Sequence, residues 1–279
     1  MNKKRNTIIC LIAAVVLIFS GVKVVGYVRT SKLCQQIKAG NNIETNISDG
    51  TTAPLFLDDI ATIFQVKGVK IPLVEACYYG NVQAVEVLLE NNANPNFFID
   101  GRWSPLEATI VGDPMNESRY EIIKMLIDHG CDVNLHASSE PVVERISSYI
   151  CAGNDDEIVK NLLLYLLENG ANKAANGYEK AFHNIVRSGN VELAQILIEK
   201  YNFSVNGKGH EGKTPLIISV TYSERSATVE MVKMLIAHGA DISIVDENGK
   251  SALDYATNLG YDDIAAVLTD NLIISPNCQ

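Results

Sequence analysis

The stretch TPLIISVTYSERSATVEMVKMLIAHGADIS, residues 214–243, decides the fold. Thr214 can cap a helix that opens on Pro215, where proline is tolerated because its missing N–H would be unpaired in the first turn anyway. A short Leu/Ile-rich run follows, then a polar break, a second helix carrying the pair Leu235-Ile236, and a Gly-centred polar turn. The same unit recurs six times between Ile71 and Leu268. Its opening slot is filled by Pro72, Pro105, Pro141, Ala181, Pro215 and Ala252, at steps of 33, 36, 40, 34 and 37 residues. The second-helix pair recurs as Leu88-Leu89, Leu126-Ile127, Leu166-Leu167, Leu197-Ile198 and Val267-Leu268, and the earlier turns read NNANPN, HGCDVN, NGANK and NFSVN. A period of this length signals stacked supersecondary units.

Each unit has a physical reading. Ser104 is placed to cap its helix as Thr214 does. Ala76, Cys77 and Ala256 keep the face of the inner helix narrow, so a neighbouring helix can approach, and Gly80, Gly189 and Gly260 end that helix where positive φ is wanted. In the outer helix Val85, Leu88 and Leu89 recur at spacings of three and four, while Glu86 and Glu90 face water. No unit can bury such a stripe alone, so the units must stack. Asp262, Asp263, Asp270 and Asn271 make the last one polar enough to close the array.

These residues resemble the ankyrin repeat, whose opening motif is matched by IPLVEA at 71, SPLEAT at 104, TPLIIS at 214 and SALDYA at 251, over roughly residues 69 to 271. Departures fall between the two helices, around GDPMNES, CAGNDD and YSERSA. The resemblance implies an all-α ankyrin-repeat solenoid of about six helix-turn-helix units with hairpin tips. It also implies that a partner protein docks on the surface formed by inner helices and tips. By slot, that surface takes Glu75, Tyr78 and Tyr79 from the first inner helix, with Phe97, Phe98, Asp100, Arg102 and Trp103 from the tip after it. Further along it takes Arg187 and Tyr222 from inner helices and Lys208 and His210 from a tip; Tyr178, Glu179, Asp246 and Glu247 also fall on tips. The aromatic and arginine residues are hot-spot types. Phe97 and Trp103 can alternatively tuck under an adjacent unit as ordinary packing. In the family slot of KAFH, His183 is expected to bond backbone between units.

A second signal lies at the amino terminus. Lys3, Lys4 and Arg5 precede an uncharged run, and residues 7–28 would form a helix about 33 Å long, enough for a bilayer core of about 30 Å. Lys23 would snorkel to the interface beside Tyr27. The expectation is one transmembrane signal-anchor helix preceding the solenoid, with the repeats extracytoplasmic in type II orientation. A cytoplasmic-facing array and a cleaved, secreted form with Val24 and Gly26 at the cleavage positions stay open. The organisation is then a basic tail at 1–6, the span at 7–28, a linker or divergent cap at 29–68, the array at 69–271 and a tail at 272–279.

Charge is segregated. Residues 69–279 carry fifteen Lys/Arg against twenty-nine Asp/Glu, a formal charge of −14, while the whole chain stands at −10. Such a surface repels nucleic acid and complements a basic partner; acidity that only keeps the stack soluble is the simpler account. No G-x-S-x-G, H-E-x-x-H, C-x-x-C or phosphate-cradling loop occurs, so no catalytic residue, cofactor or small-molecule substrate is expected. The densest polar cluster runs from Asp128 through His129, Cys131 and Asp132 to His136, spaced H-x-C-x4-H. Cys131 there takes the Ala place of the turn and should face the stack, which argues against a metal. The expected function is a membrane-tethered, non-catalytic scaffold for a partner protein, with an immunity-like inhibitor of a basic target as the alternative. A metal-binding or catalytic role for the loop at 128–136 is the remote third reading.

Overall fold

The computed structural model describes residue 39 and residues 72–97, 103–112, 115–135, 140–153, 157–171, 178–222 and 229–274. The span expected at 7–28 lies outside the described residues, as do Phe98, Asp100, Arg102 and His136. Among the described residues no helix is long and apolar enough to cross a membrane.

Twelve α-helices and no strand occur among the described residues, and the chain divides into two compact bodies after residue 138. The N-terminal body holds α1 (Pro72–Tyr79), α2 (Val82–Glu90), α3 (Pro105–Val111) and α4 (Glu117–Asp128). Here α1 packs on α2 and α3, and α4 closes against α2 and α3. The C-terminal body holds α5 (Val142–Cys151), α6 (Glu157–Glu168), α7 (Tyr178–Ser188), α8 (Val191–Tyr201), α9 (Pro215–Thr221), α10 (Val229–Ala237), α11 (Ala252–Leu259) and α12 (Asp262–Ile274). Its inner helices α5, α7, α9 and α11 stand side by side in that order, with α8, α10 and α12 forming an outer layer.

Local chemistry sets the helix starts. The Ser104 hydroxyl accepts from Glu107 N–H at 3.2 Å, and the Glu107 carboxylate accepts from Ser104 N–H at 2.8 Å. Thr214 Oγ1 accepts from Ile217 N–H, and Asn81, Asn116 and Asn190 cap α2, α4 and α8 in the same manner. Gly80, Gly189 and Gly260 end their inner helices at φ of 67°, 79° and 75°. The stripes are buried as their spacing requires: Val85, Leu88, Ile122, Leu126, Leu162, Leu166, Leu197, Leu235 and Leu268 are all inaccessible to solvent, each burial contributing about 1.5–3 kcal/mol.

Two starts differ from the sequence reading. Pro141 is the N-cap of α5, one residue before its first turn. α7 begins at Tyr178, a turn ahead of Ala181. The Tyr178 hydroxyl donates to the Ala171 carbonyl and its ring stacks on Phe203 at 4.5 Å, so Tyr178 is a packing residue and not part of an open tip.

The N-terminal body contains a device invisible to pattern: Arg119, in the first turn of α4, is buried. Its Nη1 donates to the carbonyls of Thr109 (2.7 Å) and Cys77 (3.3 Å), and its Nη2 donates to that of Tyr78 (2.7 Å). Helix-terminal carbonyls have no partner within their own helix, so one guanidinium serves the ends of α1 and α3 together. Gly112 makes room for it, since a Cβ there would lie 2.1 Å from Nη1. Arg119→Ala is expected to cost about 2–4 kcal/mol because the Thr109 and Tyr78 carbonyls lose their charged donor, whereas the Cys77 carbonyl keeps Gly80 N–H. Urea unfolding followed by circular dichroism should show an early transition from the N-terminal body, and an unchanged curve would refute the role.

Candidate partner-binding surfaces

On the N-terminal body, three large rings stand outside the core. Tyr78 and Tyr79 close α1, and Trp103 immediately precedes the capping box of α3. Their exposures are 37%, 37% and 40%. Trp103 stacks on Tyr78 at 5.6 Å and 14°, and Tyr79 meets Tyr78 edge-on at 5.2 Å. The cluster is held from both sides. Arg119 grips the Tyr78 carbonyl, and the Ser104–Glu107 capping box sets the chain direction at Trp103. Glu75, one turn back on α1, is half-buried. Phe97 does not join the rings. It is buried beneath the turn, where Phe97 N–H bonds to the Asn94 carbonyl, because an aromatic side chain at the end of a tight turn gains more from the stack than from water.

On the C-terminal body, the structure brings Arg187 and Tyr222 together. The exposed Arg187 donates from Nε to Cys151 Sγ at 2.8 Å and lays its guanidinium 5.4 Å from the Tyr222 ring centre. Lys213 approaches the same ring to 5.5 Å and is tied to Glu211 at 2.7 Å, a contact that raises its pKa. Such cation–ring contacts are worth about 0.5–1 kcal/mol at exposed sites. Lys208 and His210 occupy the tip before α9: Lys208 donates to the Val245 carbonyl at 3.3 Å, and His210 projects into solvent 3.8 Å from Glu211. Asp246 is not an open tip residue. It is buried, accepting from Asn248 N–H, Lys250 N–H and the Tyr255 hydroxyl, and these bonds hold its carboxyl below the usual range.

Adjacent repeats are joined by side chains that satisfy each other's turns. Asn96 Nδ2 donates to the Gly130 carbonyl (2.8 Å) while its Oδ1 accepts from Asp132 N–H (2.7 Å). Asn206 makes the same pair with Gly239 (3.0 Å) and Asp241 (2.8 Å). His183, buried in α7, bonds the Gly207 carbonyl at 3.0 Å, and Gly209 is required beside it because a Cβ would lie 2.2 Å from Nδ1. None of the Asn roles is marked by motif, though both asparagines recur at the same place after the turn.

The described donors of the 128–136 loop, His129, Cys131 and Asp132, serve the fold. His129 turns Nδ1 onto the Met125 carbonyl, Asp132 accepts from Asn134 N–H, and burial pushes the Cys131 thiol up to about 12. Among the described residues no group of three or more His, Cys, Asp or Glu could hold a metal ion.

Short helix pairs stacked side by side, their turns cross-bonded and their exposed rings on inner-helix ends, define an all-α repeat solenoid. Family models agree: one for an ankyrin repeat matches residues 70–98, and one for three ankyrin repeats matches residues 148–244. A relative, the Notch-regulated ankyrin repeat-containing protein of Xenopus tropicalis, is 37% identical over 93 residues, 32% of this chain and 78% of that protein. Alpha-latrocrustotoxin-Lt1a of Latrodectus tredecimguttatus is 28% identical over 196 residues, 66% of this chain but 13% of the toxin's length. The crystal structure of the ankyrin repeat protein EF0377 superposes with a TM-score of 0.57 at 25% identity, covering 71% of this chain and 96% of that one. The chain belongs to the ankyrin-repeat family.

His183 yields a pH prediction. Desolvation lowers its pKa from the ordinary 6.5, so the folded state holds it neutral while the unfolded state takes up a proton. Its contribution is therefore complete above pH 6.5 and drains away as pH falls below that value. Urea midpoints of the wild type should decline between pH 7 and pH 5 more steeply than those of His183→Gln; parallel declines would show that another group governs acid sensitivity.

Proposed function

We propose that this chain is a non-catalytic scaffold that binds a partner protein through its inner-helix surfaces, with the Tyr78–Tyr79–Trp103 cluster as the principal anchor. The observation that carries this reading is that three aromatic rings remain in solvent while, among the described residues, no buried side-chain nitrogen or oxygen lacks a partner. The interior is complete without them. Rigid aromatic rings gathered at one spot give large contact area at small entropic cost, which is the chemistry of an interface anchor. The charge of −14 over residues 69–279 favours a partner with a basic face, drawn in by long-range attraction.

The same reading places the array at a membrane. Residues 7–28 are long and apolar enough to span a bilayer behind the basic Lys3–Arg5 triplet, and the repeats then lie outside the cytoplasm. The scaffold acts by position, holding or masking its partner at the bilayer surface.

Replacing Tyr78 and Tyr79 with Ala and Trp103 with Ser should abolish capture of a cross-linked partner while far-UV circular dichroism and the thermal midpoint stay close to wild type, since exposed rings contribute little to the stack. Undiminished capture by this folded variant would defeat the anchor assignment. For topology, protease added to intact cells stripped of any wall or outer membrane should remove a C-terminal tag. A protected tag would put the repeats in the cytoplasm, and a tag found only in the medium would mean a cleaved, secreted form.

A further inference from the structure

We propose that the C-terminal body carries a second, chemically distinct docking site, built on Arg187 and Tyr222, that takes a short acidic segment of a partner protein. The inference rests on the inner-helix row being a partner surface, and it deepens that reading by naming the partner chemistry this part of the row accepts.

Four basic side chains of this body are paired with carboxylates. Arg145 pairs with Glu140, Lys180 with Glu144, Lys200 with Glu168 and Lys213 with Glu211, at 2.7–3.1 Å. Arg187 differs. It has contacts at two points, Nε on Cys151 Sγ and Cζ 5.4 Å from the centre of the Tyr222 ring, yet its guanidinium has no carboxylate partner among the described residues. Its backbone is fixed as well. α7 is locked to α5 by Asn184, whose Nδ2 donates to Ser147 Oγ (3.1 Å) and Ser148 Oγ (3.2 Å) one turn before Arg187. The guanidinium is thus held by two contacts, shares the Tyr222 ring with the Lys213 ammonium, and meets no carboxylate among the described residues.

A guanidinium fork matches the two oxygens of a carboxylate, and stacking on a ring leaves that edge free to pair. Tyr222, 44% exposed, adds an apolar wall on which a neighbouring leucine-sized side chain can rest. A long polyanion does not fit the surroundings, because the array bears −14 overall and repels extended negative charge. The site therefore favours one or two carboxylates next to an apolar residue. It would set the orientation of a partner whose basic face answers the wider field.

The test uses the full chain purified in neutral detergent and a fluorescent peptide alternating glutamate with leucine, followed by anisotropy. Saturable binding is expected, weakened roughly tenfold by Arg187→Gln and by Tyr222→Ala, and unchanged by Lys180→Gln, which alters an already matched cation. Arg187→Lys should fall between, since it keeps the charge and loses the fork. Absence of binding, equal binding of the glutamine-for-glutamate peptide, or equal sensitivity of all variants would overturn the proposal. So would tighter binding of heparin at the same residues, which would mark a general polyanion patch. Partner capture run in parallel separates the two readings: capture that persists in Arg187→Gln without peptide binding sinks the acidic-segment assignment alone, whereas a wild-type chain that captures nothing sinks the scaffold reading.

Discussion

Helices of seven to thirteen residues do not hold themselves in water. Every other property of this chain follows from that constraint. The energy must come from lateral stacking of apolar stripes, and stacking brings helix ends and turns of adjacent repeats side by side, some of them shielded from water. Their polar groups then need partners from next door. Asn96 and Asn206 close one turn onto the next, His183 reaches the following hairpin, and Arg119 gathers three carbonyls from two helix ends. These cross-repeat bonds make neighbouring repeats stand at a fixed spacing, and a fixed spacing turns separate side chains into a surface.

The stack also decides what is left for function. Outer-helix stripes and the alanine or cysteine faces of inner helices are consumed by packing; Ala76, Cys77, Ala194 and Ala256 are wholly buried. What remains is the end of each inner helix and the tip that follows. Tyr78, Tyr79 and Trp103 occupy such ends in one body, and Arg187 and Tyr222 in the other. Because Arg119 bonds the carbonyl of Tyr78 itself, the stability of the first repeats and the placement of the aromatic cluster depend on one side chain.

Much of this was legible in residue order. The opening slots predicted the starts of α1, α3, α9 and α11, Ser104 and Thr214 announced their caps, and the leucine pairs marked every outer helix, because spacing and capping are local and period-bound. The misses share a cause. Phe97, Tyr178 and Asp246 carry residue types that suit an exposed tip, yet Phe97 is buried, Tyr178 stacks on Phe203, and Asp246 is taken up by its own turn and the Tyr255 hydroxyl. Arg119 was hidden for the same reason. An arginine in the first turn of an amphipathic helix has the look of a solvated residue until the third dimension puts the ends of α1 and α3 beside it.

Two scales of electrostatics act on the same molecule and need not agree in sign. The net charge of the array governs approach over about a Debye length, near 8 Å at physiological salt, and on the proposed reading it favours partners with basic faces. Contact is governed by individual groups at hydrogen-bonding distance, where a single fixed guanidinium outweighs the average. A protein that recruited partners by field alone would hold them loosely and in many orientations. Placing Arg187 against Tyr222 inside an acidic surface supplies a point of opposite sign, and the aromatic cluster of the other body supplies an uncharged anchor. Attraction, orientation and grip are then assigned to different residues, so specificity can change by altering inner-helix ends while the stack beneath them stays the same.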